Sequence, residues 1–341
     1  MDTNKKILKW FDTEKRSLPW RNSNKSSIDT YKVWISEIML QQTTVNAVIP
    51  YFKKFINRFP NIDSLAEGKL EEVLSNWAGL GYYSRARNIH KCAGIIVNQY
   101  NSVFPKKEME LIKLPGIGDY TAAAICSIAY NQVAIAVDVN IERVISRIYN
   151  KHNAKKTEIK LLIRNIIPFD RPGDFTEALM DLGAKICKAR SPSCIICPLK
   201  TICETYLVNK DALLKEIKVS KKKQIRYGNC YIVSREIDQK YFFIRRPHKG
   251  LLGGMLSFSS SDWKEGEGNL LHEKLFENLI KINNLNKPIN VITHTFSHFK
   301  LILNIYLLKI IENIDLEGEW IELDEAFTQL PSLMKKVANT I

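Results

Sequence analysis

The chain has 341 residues, enough for two or three domains each with its own core. Hydrophobic residues make up 45% and charged residues 25%, so the sequence is neither a disordered polyelectrolyte nor a string of membrane spans. Fifty Lys and Arg against 36 Asp and Glu leave a net charge of +14, which predicts a polyanionic partner such as nucleic acid or an anionic membrane surface.

No apolar run is long enough to span a bilayer. The N-terminal segment MDTNKKILKWFDTEKR lacks the apolar core of a secretory signal. These features predict a cytoplasmic, nucleoid-associated, monomeric protein with no membrane partner, in a compartment where clustered cysteines usually mean metal.

In chain order, residues 31–205 read as helix after helix. Breaks fall at Pro50, Pro60, Gly79–Gly81, Pro105, Pro115–Gly118 and Pro168–Gly173. Early in this region Glu37 sits in YKVWISEIMLQQT, with Val33, Trp34 and Leu40 at i−4, i−3 and i+3, which places it on an apolar helix face. It is either a carboxylate paired with a cation or an acid whose pKa is raised by desolvation. LPGIGDYTAAAICSIAY then places two glycines, Gly116 and Gly118, just before a helix of small residues. That turn exposes backbone N–H groups able to hold a phosphate oxygen without reading a base. Asp138 follows an apolar extended run, Val133–Val137, and precedes a helix, Asn140–Tyr149, where it is placed as an N-cap. A capping carboxylate accepts backbone N–H bonds, which favour its charged form. One protonated and one anionic carboxyl is the pairing used on glycosidic bonds.

Four of the seven cysteines follow in the pattern Cys187-x6-Cys194-x2-Cys197-x5-Cys203. Four thiolates suit tetrahedral zinc or an iron–sulfur cluster. A single close pair flanked by gaps of six and five favours the cluster over zinc, whose ligands usually come as two close pairs. Cys92, Cys126 and Cys230 are scattered and read as ordinary buried thiols. The Lys-rich stretch 208–224 reads as a linker, partly helical. Beyond it, strands are predicted at Asn229–Val233, Tyr241–Arg245, Val291–Thr295 and Leu301–Lys309, and helices at Leu270–Ile282 and Pro331–Ala338.

Taken together, LPWR (18–21), WISEIMLQQT (34–43), GLGYYSRARN (79–88), LPGIGDYTAAAI (114–125), VDVNIERVISR (137–147), the cysteine spacing, GLLGGM (250–255) and THTFSHF (293–299) resemble the MutY-type adenine DNA glycosylase family of the endonuclease III-like helix–hairpin–helix superfamily. The resemblance covers essentially the whole chain. It implies a mainly α catalytic region at 1–207, with a helical lobe at about 28–133 and an iron–sulfur lobe from 1–27 plus 134–207. A linker at 208–224 and an α+β Nudix-like domain at 225–341 follow. No Glu-rich Nudix hydrolase helix is found, so the second domain is expected to recognise a lesion rather than cleave a nucleotide.

By the same resemblance, Glu37 protonates adenine at N7 and Asp138 stabilises the oxocarbenium-like sugar, supported by Tyr120 and Asn140. Trp20, Arg21 and Leu40 line the adenine pocket. Gln42, Thr43 and Tyr82 fill or wedge the helix, Gly116 and Gly118 hold DNA phosphate, and Ser297 between Phe296 and His298 reads the oxidised base. Plainer roles stand beside these: core aromatics for Trp20 and Tyr82, exposed polar positions for Gln42 and Thr43, and a strand-turn pair for Ser297 and His298. The implied cofactor is a 4Fe-4S cluster on the four cysteines. The implied partner is duplex DNA holding A:8-oxoguanine or A:G. Lyase-competent relatives carry lysine where this hairpin has Tyr120, so a monofunctional hydrolase is expected. Other mismatch or pyrimidine glycosylases of the superfamily, or a non-catalytic cluster-bearing DNA binder, are the alternatives. Two departures stand out: Val139 where the family usually has glycine, and a longer Asn22–Thr30 segment.

Overall fold

The computed structural model describes residues 3–21, 28–208, 223–247, 250–265, 287–296, 298–311 and 317–341. The helices are α1 (Thr3–Glu14), α2 (Thr30–Leu40), α3 (Val45–Arg58), α4 (Ile62–Glu67), α5 (Leu70–Trp77), α6 (Ser84–Tyr100), α7 (Glu108–Leu111), α8 (Asp119–Ile128), α9 (Val139–Ile148), α10 (Lys156–Arg164), α11 (Pro172–Lys185) and α12 (Glu204–Val208). The strands are β1 (Gln224–Arg235), β2 (Lys240–Arg245), β3 (Leu256–Ser257), β4 (Ser259–Ser260), β5 (Lys264–Glu265), β6 (Asn290–Thr295), β7 (Phe299–Ile310) and β8 (Glu319–Ile321). Helices α13 (Leu323–Gln329) and α14 (Ser332–Ala338) close the chain. The chain divides into two compact units, Met1–Gly68 with Arg87–Val219 and Lys69–Ala86 with Ser220–Ile341.

In the first unit, α2 packs on α3 and α8. The apolar neighbours of Glu37 predicted from spacing, Val33 and Trp34, are buried, and Trp34 meets Phe104 edge-on at 5.2 Å. Helix α8 is buried from Thr121 to Ile128, because its alanines let neighbouring backbones approach closely. A second core joins α1, α9, α10 and α11 through Ile7, Phe11, Val144, Ile145, Phe175 and Leu182. Each such side chain contributes about 1.5–3 kcal/mol when fully withdrawn from water. Pro172 at the first helical position, where its missing N–H costs nothing, starts α11.

In the second unit, β1 runs parallel to β7 in a mixed sheet ordered β3-β2-β1-β7-β6. The alternation along β1 feeds two cores. Cys230 and Ile232 face α13 and α14 through Leu330, Leu333 and Met334. Tyr231 and Val233 face Phe242, Tyr306 and Leu308. All four strands predicted from sequence lie within observed strands, and Pro331–Ala338 is observed as α14. The predicted helix Leu270–Ile282, most of the linker and most of the longer Asn22–Thr30 segment lie outside the described residues. The short strands β3, β4, β5 and β8, and α13, were not anticipated. Within this unit α5 packs against α13.

Candidate active site and cysteine cavity

Helix α2 presents Glu37 to a pocket of about 380 Å³ whose lining includes Trp20, Arg21, Leu40, Ser36 and Glu177. Glu37 is 6% exposed. Burial pushes its carboxyl up to about 7; the Tyr120 hydrogen bond opposes this, the charges of Asp138 and Glu177 reinforce it, and Arg21 counteracts least. The Tyr120 hydroxyl donates to Glu37 Oε2 at 2.9 Å. Burial and the Glu37 carboxyl hold that phenol well above its usual range, so it remains a donor. Among the described residues Glu37 has no ion-pair partner at contact distance, and its side-chain hydrogen bond is to Tyr120.

Asp138 is the N-cap of α9. Its Oδ1 accepts from the Ile141 N–H at 2.7 Å and its Oδ2 from Asn140 Nδ2 at 3.0 Å. The two carboxyls differ in their donors: Glu37 accepts from one hydroxyl and Asp138 from two N–H groups. Val139 opens α9 in ordinary helical conformation and is 73% exposed. Valine at this position therefore meets none of the left-handed strain that a glycine requirement would impose. Beyond Asp138 the contacts continue inward. Asn140 Oδ1 accepts from Arg143 at 2.8 Å, and Arg143 also donates to the carbonyls of Cys187 and Gly183, each at 2.8 Å.

Trp20 is 7% exposed and meets Phe52 edge-on at 5.2 Å, so it is at once a core aromatic and a pocket wall. The structure adds three residues that the motifs did not single out. Arg21 donates to Glu177 at 2.7 Å and to Asp181 at 2.7 and 3.0 Å, and Arg16 donates to Asp181 at 2.6 Å. The available signal was the spacing of Asp174, Glu177 and Asp181 at i, i+3 and i+7, an acidic face on an otherwise apolar helix.

The remaining predicted contact residues lie on tight turns. Gln42 is exposed with φ 57°, directly after α2, and Thr43 beside it is half-buried. Gly116 has φ 80°, and a Cβ there would fall 2.8 Å from Asn88 Cβ, so both backbone and space require glycine. Gly118, the N-cap of α8, is needed for neither reason: its backbone is extended and a Cβ would meet open space. In the second unit, Tyr82 holds φ 49° directly after the positive-φ glycines Gly79 and Gly81, with the Arg85 guanidinium 5.4 Å from its ring. Phe296 is packed, not free. Its ring stacks between Trp263 at 5.7 Å and Phe299 at 4.8 Å, with His294 edge-on at 4.7 Å. Its N–H donates to the Phe299 carbonyl at 2.8 Å and closes the turn between β6 and β7. His298 on that turn is exposed, and Ser297 lies outside the described residues.

Cys187, Cys194, Cys197 and Cys203 line one cavity of about 330 Å³ together with Arg147. Arg147 is 2% exposed and donates to Cys187 Sγ at 3.4 Å and to the Lys188 carbonyl at 2.7 Å. Cys203 Sγ in turn donates to the Arg147 carbonyl at 3.3 Å. Burial pushes the Cys197 thiol up to about 12 and those of Cys194 and Cys203 upward. Among the described residues, no group of three or more His, Cys, Asp or Glu side chains is arranged to hold one metal ion. Cys92, Cys126 and Cys230 are buried elsewhere, as predicted.

Residues 35–168 match the family described as HhH-GPD superfamily base excision DNA repair protein, and residues 230–340 match the NUDIX domain. An adenine DNA glycosylase of Buchnera aphidicola subsp. Schizaphis graminum is 37% identical over 97% of this chain and 96% of its own length. The chain belongs to the adenine DNA glycosylase family. A second such enzyme, from Buchnera aphidicola subsp. Baizongia pistaciae, is 41% identical over 80% of this chain and 77% of its own. The human adenine DNA glycosylase is 31% identical over 97% of this chain and 72% of its own. Among solved structures, a thermostable thymine-DNA glycosylase aligns with TM-score 0.54 and 30% identity, covering 61% of this chain and 99% of its own. An endonuclease III in a non-covalent DNA complex aligns with TM-score 0.52 and 28% identity, covering 60% and 94%. As a member of this family the chain is a DNA glycosylase, an enzyme of base excision repair that acts on adenine mispairs. No helix among the described residues is long and apolar enough to cross a membrane.

Proposed function

We propose that this enzyme hydrolyses the N-glycosidic bond of adenine opposite 8-oxoguanine or guanine in duplex DNA, as a monofunctional glycosylase. The observation that carries the reading is the unequal pair of carboxyls, Glu37 buried under a single hydroxyl donor and Asp138 under two N–H donors. Hydrolysis of this bond needs two things at once. The leaving base must take a proton, and positive charge on the sugar must be offset. Glu37, with its carboxyl near 7, holds a transferable proton at neutral pH and delivers it to N7 of an extruded adenine. Asp138 stands as the anion for the oxocarbenium-like sugar, and water completes the substitution. Extruding the base costs a few kcal/mol, less in a mispair.

Tyr120 orients the Glu37 carboxyl, and Asn140 fixes that of Asp138. Trp20, Arg21 and Leu40, with Glu177, enclose the base. Gly116 and the head of α8 hold a backbone phosphate. Gln42, Thr43 and Tyr82 fill or wedge the helix at the vacated site. The turn at 296–299 reads the opposite base through Ser297 and His298, with Phe296 as its anchor.

The four cysteines fit a 4Fe-4S cluster. They line one cavity, and the buried Arg147 supplies a cation beside an anionic cluster. Cys187, Cys194, Cys197 and Cys203 would hold the cluster, which would tie down the Cys187–Cys203 segment; the hydrolysis itself requires no electron transfer.

Monofunctionality is tested on duplexes with A:8-oxoguanine. Strand scission should appear only after alkali, and borohydride should trap no protein–DNA adduct, since a phenol at Tyr120 cannot form an imine. Efficient trapping would overturn this part of the reading.

A further inference from the structure

Asp181 has no side-chain exposure, and it accepts four hydrogen bonds. They come from the Arg16 N–H at 2.9 Å, Arg16 Nε at 2.6 Å, and Arg21 Nη1 and Nη2 at 2.7 and 3.0 Å. Four bonds fill both carboxylate oxygens. Arg21 presents its two Nη atoms to Asp181 and its Nε to Glu177 at 2.7 Å, while Nη1 also reaches the Arg16 carbonyl at 3.3 Å. The guanidinium plane is therefore fixed on two sides. Two cations and two anions balance, and Arg16, Arg21 and Glu177 line the same pocket as Glu37.

We infer that Asp181 is a positioning residue for adenine removal: it holds the Arg21 guanidinium onto Glu177 and away from Glu37, so the acid of the pocket keeps no cation of its own. The inference rests on the function proposed above. Asp181 touches neither the base nor the sugar site. It acts through Arg21, and the asymmetry of the two acids of α11 reflects this. Burial pushes both carboxyls up. Glu177, with one arginine, stays raised; Asp181, with the hydrogen bonds and charges of Arg21 and Arg16, falls below its usual range.

The charged and titratable groups facing Glu37 are Tyr120 from α8, Asp138 at the head of α9, Glu177 from α11 and Arg21 after α1. Removing the Asp181 charge leaves the quartet one unit positive and frees Arg21 to turn. Both changes favour ionised Glu37, so its proton is lost at lower pH. A unit charge across roughly 10 Å, at an effective dielectric constant of about 20, is worth about one pKa unit.

The test is single-turnover adenine excision from pH 5 to 9 in the full-length, cluster-loaded protein, its Asp181→Asn and Arg16→Gln variants, and the double variant. Asp181→Asn should move the alkaline limb down by about half to one pH unit. Arg16→Gln, which removes a cation from the same quartet, should move it up, and the double variant should return it toward the parent. Titration of the Glu37 carboxyl by carbon-13 NMR, with no DNA present, should give the same order. That separates this inference from the functional reading: a parent enzyme that removes no adenine sinks the reading, whereas an unmoved Glu37 titration sinks the inference. A uniform loss of rate at every pH with an unshifted limb would mark Asp181 as merely structural. Should Asp181→Asn not fold, an unshifted Arg16→Gln decides against the proposal.

Discussion

Replacing Glu37 with glutamine keeps the shape of the side chain and an oxygen for the Tyr120 hydroxyl, and removes the proton. With the carboxyl near 7, about half of the parent molecules hold that proton at pH 7, about a tenth at pH 8 and about a hundredth at pH 9. The excision rate of the parent should follow those fractions. In Glu37→Gln the alkaline limb should vanish, and the rate at pH 7 should fall by about 10²–10⁴-fold, the usual contribution of a positioned general acid. Affinity for a duplex with an uncleavable adenine analogue should change little, because the loss falls on the transition state. Stability supplies a second reading. A carboxyl raised from 4.5 in the unfolded chain to about 7 when folded is bound to its proton more tightly in the native state. Its contribution is fully present below about pH 4.5 and is lost as pH rises through about 7. The difference amounts to about 3 kcal/mol for a fully buried group. Glu37→Gln does not ionise, so its thermal midpoint should exceed that of the parent at pH 8 and the gap should close at pH 5. A variant with a near-parental single-turnover rate, or with the same alkaline limb, refutes the role given to Glu37.

Purified protein should be yellow-brown with about four irons per chain, and serine at Cys187, Cys194, Cys197 or Cys203 should bleach it; metal analysis showing zinc without iron removes the cluster. Gly116→Ala should weaken binding to duplex DNA and lower the thermal midpoint, because φ 80° and the contact with Asn88 both resist a methyl group; unchanged affinity detaches this turn from the phosphate backbone. Ser297→Ala should cut the A:8-oxoguanine to A:G rate ratio by up to about tenfold, the worth of one hydrogen bond, while adenine excision from A:G persists. Trp263→Ala, which removes one partner of the Phe296 stack, should lower the same ratio; a constant ratio in both variants takes the recognition role from this turn.

The helical region was legible because its signals are local. Apolar periodicity around Glu37, an N-capping aspartate before Asn140, and glycines at a helix–helix turn each depend on a few neighbours in sequence, and each appears where expected. The long strands β1, β2, β6 and β7 were legible for the same reason, as runs of β-branched and aromatic residues. Strands of two or three residues, such as β3, β4, β5 and β8, carry no such pattern and exist only through their partners in the sheet. The Arg16–Arg21–Glu177–Asp181 quartet was missed because its members are about 160 positions apart in pairs, and only the packing of α1 on α11 joins them. The packing of Phe296 was not legible because a sequence shows a loop aromatic but not the Trp263 and Phe299 rings that stack on it.

Removal of adenine and reading of the base opposite it stand or fall together in one assay. Single-turnover assays with alkaline strand cleavage, on matched duplexes holding A:8-oxoguanine, A:G, A:T and T:G, test both most directly. Cleavage should occur at adenine in the first two, fastest opposite 8-oxoguanine, with A:T and T:G left intact. Cleavage at thymine in T:G, or equal adenine loss from A:T and A:8-oxoguanine, would contradict it.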